Sequence, residues 1–204
     1  MTAHHPAITA SYRARLGTSK AGLLALLAAL WAKMYDPANP ASVKMIATLA
    51  GTFTVRGQAA AVTQARGYLA AVTAHAQGQP AGPYAIPAGV IGMSDSGHPV
   101  TALASLAPLI YQGRINAGHP AATAAMAAQS WLNRIAASEP YRAANETVTQ
   151  NAVQDDRLTG LVERVTGGDA CSFCQDIADQ GYRPADAGFA AHANCQCTAA
   201  PEVA

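Results

Sequence analysis

Apolar residues recur at intervals of three and four along much of the chain, which is the spacing of one face of an α-helix. The pattern first predicts a long helix over about residues 8–35. This helix is expected to end at Asp36-Pro37, because the residue before a proline is disfavoured in helical geometry. The apolar positions that define it are Leu23, Leu27, Leu30 and Met34.

A second helix is predicted from Val43 toward His75. Residues 52–55 are its weakest part, because they include β-branched side chains and are flanked by glycines. The two helices are separated by a turn at Asn39-Pro40. The chain therefore begins with two helices that are expected to pack against each other.

The next part of the chain is predicted to be helical after an interruption. Residues 76–99 are rich in proline and glycine and form a loop or hinge. Helical spacing returns over about residues 100–116, and an alanine-rich helix then extends through Ile135. A separate helical piece is predicted over about residues 141–154.

The pattern changes after Asp155-Asp156. Residues 161–166 alternate apolar and polar side chains, as a short strand does. We therefore divide the chain into a helical body, residues 1–157, and a C-terminal module, residues 158–204. The predicted fold class is mainly α, with an alanine-rich helical body and a small α+β module that is stabilised by zinc, since so short a module buries little core alone.

The composition is apolar and poor in charge. Hydrophobic residues make up 50% of the chain and charged residues 12%, compared with about 25% charged in typical domains. Residues 1–134 carry a net charge of +7 and residues 135–204 a net charge of −6. Such a surface suits a protein that packs against other subunits, and the basic part suits contact with packaged nucleic acid. The most apolar run, residues 21–32, is shorter than the roughly 20 residues that cross a bilayer, so no membrane is implied.

All four cysteines lie in the last part of the chain, and this segment carries the clearest chemical signal. Cys171 and Cys174 are separated by two residues, and so are His192 and Cys195, with Cys197 close behind. Two close-spaced pairs of thiol and imidazole ligands are typical of a closed, tetrahedral zinc site. The spacing therefore predicts a structural zinc ion bound within the module.

The five candidates compete for about four positions. Cys195 and Cys197 are two residues apart, which in an extended chain separates them by about 6.5–7 Å. We favour the ligand set Cys171, Cys174, His192 and Cys195, with Cys197 as the alternative to Cys195.

Other chemistries for this segment are less well matched. Disulfides or buried thiols are the main alternative to zinc, and a redox dithiol at Cys171 and Cys174 lacks the βαβ context of thioredoxin-like motifs. A catalytic zinc site of the deaminase type needs a glutamate two residues after the histidine, where this chain has Asn194. The zincin motif His-Glu-x-x-His is missing from the sequence as well. We therefore expect no enzymatic activity.

Several runs in this segment resemble the C-terminal motif of MuF-like phage minor head proteins, especially those of actinobacterial phages. The runs are Arg164-Val-Thr-Gly-Gly-Asp-Ala-Cys171-Ser-Phe-Cys174, then Gly181-Tyr182, then Phe189-Ala-Ala-His192-Ala-Asn-Cys195-Gln-Cys197-Thr198. Proteins of this type sit inside or at the portal vertex of tailed-phage heads and assist head assembly. Some relatives are fused to a maturation protease or a toxin, for which this chain has no extra length.

The resemblance implies a structural minor capsid protein that acts in phage head morphogenesis. Its expected partners are portal or major capsid subunits, with packaged DNA as a further contact, and it is expected to be multimeric in the virion. The expected location is the capsid, and the host cytoplasm during assembly.

The second hypothesis is a zinc-knuckle nucleic-acid-binding protein. Such proteins usually interleave basic and aromatic residues around the metal, whereas Arg183 is the only basic residue from Cys171 onward. A thiol redox enzyme or metalloenzyme is third.

Overall fold

The computed structural model describes residues 5–167, 170–189 and 196–204. Two long helices open the described chain: α1 spans Pro6–Met34 and α2 spans Ala41–Gln77. Both predicted helices are thus confirmed. Residues 52–55, where the local sequence favours a helix least, lie inside α2. Within the described residues, no helix combines the length and apolar character needed to cross a membrane.

Tertiary packing explains why residues 52–55 of α2 remain helical. The hydroxyl of Thr54 donates a hydrogen bond to the carbonyl of Ala50, 2.8 Å away, so this buried polar group is satisfied within the helix. A Cβ on Gly51 would lie 3.1 Å from the Cα of Thr101, so the glycine allows a close approach of backbone from a later segment. The packing gained by this approach outweighs the weak helix propensity of the local sequence.

A loop of residues 78–99 follows α2 and leads to two short helices, α3 (Val100–Ala104) and α4 (Ala107–Asn116). The prediction of one helix over residues 100–116 is correct except for this break. Pro108 lies in the first turn of α4, where its missing N–H is tolerated, and it favours the start of a new helix there.

The helix α5 spans Ala121–Gln154 without interruption. The expectation of two pieces, one through Ile135 and one over 141–154, is therefore wrong. Pro140 removes one backbone hydrogen bond from the middle of α5. Its ring faces Gly57 of α2, where an added Cβ would lie 3.2 Å from the proline Cγ. Burial of α5 on both sides of the proline keeps the helix continuous.

A three-stranded antiparallel sheet completes the fold. The central strand is β1 (Leu158–Val165), flanked by β2 (Arg183–Pro184) and β3 (Thr198–Val203). The predicted strand over 161–166 is confirmed, and it begins earlier than expected. Between β1 and β2 the chain forms a short helix, α6 (Ser172–Ala178), and a 3-10 turn follows β2 at Ala185–Ala187.

One apolar core joins the helices to the sheet. Its side chains come from α1, α2, α5, β1 and β3, and they include Tyr12, Leu16, Ala65, Leu69, Ala144, Val148, Leu158, Val162, Ala199 and Val203. A second cluster fills the other end of the helical bundle around Leu27, Trp31, Ile46 and Leu132. The mainly α fold with a small C-terminal α+β part is thus confirmed, while stabilisation by zinc and the boundary at 157/158 remain predictions.

Candidate metal centre

The cysteines are positioned by the edges of regular elements. Cys171 is the residue immediately before α6, and Cys174 lies in the first turn of that helix. The amide of Gln175 donates to the carbonyl of Cys171 at 3.0 Å, and its side chain donates to the carbonyl of Ala170 at 2.7 Å. These bonds fix the start of α6. Cys197 lies at the other side of the module, directly before β3.

The fold brings two of the predicted ligands together. Cys174 is 1% exposed and Cys197 is 3% exposed, and both belong to one buried cluster with the half-buried Ala170 and Phe189. Cys171 is exposed at the surface of the same segment. Since the sequence places Cys174 and Cys197 far apart along the chain, their proximity depends on the antiparallel pairing of β1 with β3.

His192 and Cys195 lie outside the described residues. Among residues 5–167, 170–189 and 196–204, no three histidine, cysteine or acidic side chains form a group placed to bind a metal. The buried sulfurs of Cys174 and Cys197 fit the donor type and the enclosure of a structural zinc site. The choice of ligands made from the sequence therefore stays a prediction.

Arg164 adds a positive charge to this cluster. It lies on β1 opposite Ala199 of β3 and is 6% exposed. Its Nη1 atom is 3.7 Å from the Sγ atom of Cys174, and its guanidinium carbon is 4.0 Å from the ring centroid of Phe189. The guanidinium therefore donates toward the cysteine sulfur while its face stacks on an aromatic ring.

Asn145 of α5 holds the cysteine segment against the helical bundle. Its Nδ2 atom donates to the carbonyl of Cys197 at 3.0 Å, and its Oδ1 atom accepts from the amide of Ala199 at 2.9 Å. The side chain is 2% exposed. One amide thus satisfies two buried backbone groups at the point where the chain enters β3.

Asn151, two turns further along α5, makes a similar pair of contacts with the loop before α3. Its Oδ1 atom accepts from the amide of Ala85 at 3.0 Å, and its Nδ2 atom donates to the carbonyl of the same residue at 3.1 Å. Asn151 is also 2% exposed. The helix α5 therefore fixes both the loop and the cysteine segment through buried asparagine side chains.

These supporting residues were not found from the sequence. Arg164 and Phe189 belong to the runs that resemble MuF-like proteins, but nothing in those runs shows that the two side chains meet. Asn145 carries no signal, because an asparagine within a helical pattern ordinarily indicates a solvent-exposed position. Their roles become visible only once strand register and helix packing are known.

A polar groove lies beside the cysteine segment. Its volume is about 590 Å³, and it is bounded by the loop before α3, by one face of α5 and by residues 185–189. Its charged side chains are Asp95, Arg142, Glu146 and Asp186. Arg142 forms an ion pair with Glu146, so the acidic groups that remain give the groove a negative rim.

Arg142 also anchors the loop through a buried polar network. It donates to the carbonyls of Val90 and Met93, and its Nε atom is 2.9 Å from a carboxylate oxygen of Glu139. The amide of Gln58 donates to the same carboxylate at 3.2 Å. Burial raises the pKa of Glu139 above its usual value, and Arg142 opposes that rise.

The comparisons with known proteins give one family. Residues 98–204, slightly more than half of the chain, match the family described as VG15 protein. Neither the search of curated proteins nor that of solved structures gave a match. The matched region contains α3, α4, α5 and the whole sheet, so it includes the cysteine segment and the helix on which that segment is held. The chain belongs to the VG15 protein family, a phage-associated virion gene family.

Proposed function

We propose that this protein is a structural minor head protein of the MuF-like type, which acts in capsid assembly at or near the portal vertex. The observation that carries the proposal is the family match over residues 98–204, which ends in the cysteine segment whose motifs resemble those proteins. The protein functions within the virion and, during assembly, in the host cytoplasm. It performs no reaction, and its role is to hold other head subunits.

In this proposal the cysteine segment binds one structural zinc ion. The ligands are Cys171, Cys174 and His192 together with Cys195, or Cys197 in its place. Support comes from the burial of Cys174 and Cys197 in one cluster. A zinc ion in a closed site supplies folding free energy to a segment with few apolar residues of its own.

The part of the surface proposed to dock on a partner is acidic. Of the acidic residues after Ala136, Glu139 and Glu202 are buried, and Glu146 and Asp155 pair with arginines. Asp156 is exposed and belongs to the helical body. In the described part of the C-terminal module, the exposed acidic residues are Asp176, Asp179 and Asp186. We name these three residues the acidic surface.

A basic surface of a portal or capsid subunit is the complementary partner. Charge complementarity mainly sets the association rate and the choice of partner, and salt weakens it. The alanine-rich body, which is poor in charge, supplies the contacts between copies in the multimer.

Co-expression of the full chain with the portal and major capsid proteins of its phage tests the proposal. We expect co-purification that weakens as salt is raised, and that is reduced when the acidic surface is replaced in the variant D176N/D179N/D186N. The variant D95N, which removes one exposed carboxylate from the body, is expected to co-purify as the wild type does.

Two results would contradict this function. One is a full-length protein that remains a free monomer beside portal and capsid proteins. The other is normal assembly and infectivity of phage particles that lack it. Binding to DNA with a steep salt dependence, in the same experiments, would favour the nucleic-acid hypothesis instead.

A further inference from the structure

Arg164 occupies a position that is unusual for a charged side chain. It projects from the central strand of the sheet and is almost fully buried. A buried cation is strongly destabilising unless a negative charge or well-placed hydrogen-bond acceptors compensate it. Two of the groups that contact its guanidinium, Cys174 and Phe189, belong to the cysteine cluster.

The guanidinium lies between a sulfur atom and an aromatic ring. The Sγ atom of Cys174 is 3.7 Å from its Nη1 atom, and the ring of Phe189 covers its face. A neutral thiol is a weak acceptor, whereas a thiolate, free or bound to a metal, accepts a charge-assisted hydrogen bond. Phe189 also packs against the cluster that contains both Cys174 and Cys197. The cation is thus held against the sulfur of Cys174, a ligand of the proposed metal centre.

We propose that Arg164 is the charge-compensating residue of the metal centre: its guanidinium donates to the metal-bound thiolate of Cys174 and offsets part of the negative charge there. This inference rests on the proposed zinc site. A zinc ion bound by three thiolates and one imidazole carries one net negative charge, so a cation held against one of the sulfurs stabilises the bound centre.

The neighbouring strand offers a matched control. Arg183 lies on β2, which pairs with β1, and its side chain is exposed. Both arginines line the same small depression in the sheet surface. Replacing Arg183 removes the same formal charge from the same sheet without removing a donor to sulfur. A general effect of charge on zinc binding would act on both positions.

The test measures zinc affinity by competition with a chelator in wild type, R164M, R164K and R183M, each as the full chain. Residues that support metal ligands typically change affinity by about 10- to 100-fold when mutated. We expect R164M to weaken zinc binding by about that factor, R164K to fall between R164M and wild type, and R183M to match wild type.

A second measurement separates charge compensation from a purely structural role. Thermal midpoints are recorded with zinc bound and after its removal. If Arg164 compensates the bound centre, R164M lowers the zinc-dependent increase in midpoint. A structural role would lower both midpoints equally. With cobalt in place of zinc, loss of the donor should also move the sulfur-to-cobalt charge-transfer band to longer wavelength.

The outcomes are distinct. Equal zinc affinity and equal band position in R164M and R183M would overturn the role of Arg164 and leave the zinc site standing. A wild-type protein that holds no zinc would overturn the metal centre and this inference with it. If R164M does not fold, the affinity and cobalt band of R164K decide, because that variant keeps the charge but not the planar donor.

Discussion

Substitution of Asn145 by alanine provides the sharpest test of how the cysteine segment is attached to the bundle. The side-chain amide satisfies the carbonyl of Cys197 and the amide of Ala199, and both backbone groups are buried. Leaving one buried polar group without a partner costs about 1–3 kcal/mol. With some relaxation of the strand, N145A should reduce the free energy of unfolding by about 2–4 kcal/mol. For a chain of this size, that corresponds to roughly 4–16 °C in the thermal midpoint.

Asn151 supplies the matched control. It lies on the same helix with the same burial, and its amide makes the same two-sided contact, but with Ala85 of the loop. Ala85 itself is exposed, so water can satisfy its backbone groups once the asparagine is removed. We therefore expect N151A to lower the midpoint by less than N145A does and to leave zinc affinity unchanged. N145A should lower both, because it releases the backbone of Cys197, next to the proposed metal centre.

Circular dichroism during heating measures the midpoints, and chelator competition measures zinc affinity. A midpoint for N145A within about 1 °C of wild type would show that water replaces the asparagine at little cost, and the reasoning would be wrong. Equal losses of zinc affinity in N145A and N151A would show that the effect is global rather than local to the cysteine segment.

Three further predictions follow from the same structure. Elemental analysis of protein made in reducing, zinc-replete conditions should find about one zinc per chain. The variant C174S should lose this zinc and unfold at a lower temperature than the wild type. Zinc retained by C174S would exclude Cys174 as a ligand. The variant G51A should be destabilised by about 1–3 kcal/mol, because its new Cβ would lie close to the backbone at the Cα of Thr101. The control G67A, whose Cβ would meet nothing within 4 Å, should be stabilised by about 0.5–1 kcal/mol. Equal denaturant midpoints for the two variants would contradict this difference. The raised pKa of Glu139 means that the folded protein binds this proton more tightly than the unfolded chain, so stability falls as pH rises from the ordinary value of 4.5 to the raised one. Denaturant unfolding across this pH range should show a smaller fall in the free energy of unfolding for E139Q than for the wild type. An identical pH dependence in the two proteins would show that Glu139 is not the group responsible.

Elements with a regular local pattern could be predicted from the sequence. The spacing of Leu23 to Met34 is sufficient to give α1, and the alternation after Leu161 is sufficient to give β1. The continuity of α5 could not be predicted in this way. It depends on the burial of α5 on both sides of Pro140, including the packing against α2, where Gly57 leaves room for the proline ring. A proline inside a helical pattern ordinarily indicates a break, and only the packing partner reverses that expectation.

The cysteine segment likewise has some features that could be predicted from the sequence and others that could not. Its ligand types and spacing are local features, so a zinc site could be predicted from them. The proximity of Cys174 to Cys197 depends on the register of β1 against β3, and the position of Arg164 depends on it as well. Register is set by which residues the bundle buries on one face of the sheet, and that information is distributed over the whole chain.

The core and the family match do not coincide, and the difference constrains how relatives can be built. The match begins at residue 98, so it contains α5 and the sheet but not α1 or α2. In this protein, α1 and α2 bury the face of α5 that carries Ala144 and Val148, with Tyr12 and Leu69 among the covering side chains. Exposure of that face would remove much of the burial that holds α5 in place. A relative that shares only the matched region therefore needs other apolar residues to cover the same face, supplied by its own chain or by a neighbouring subunit.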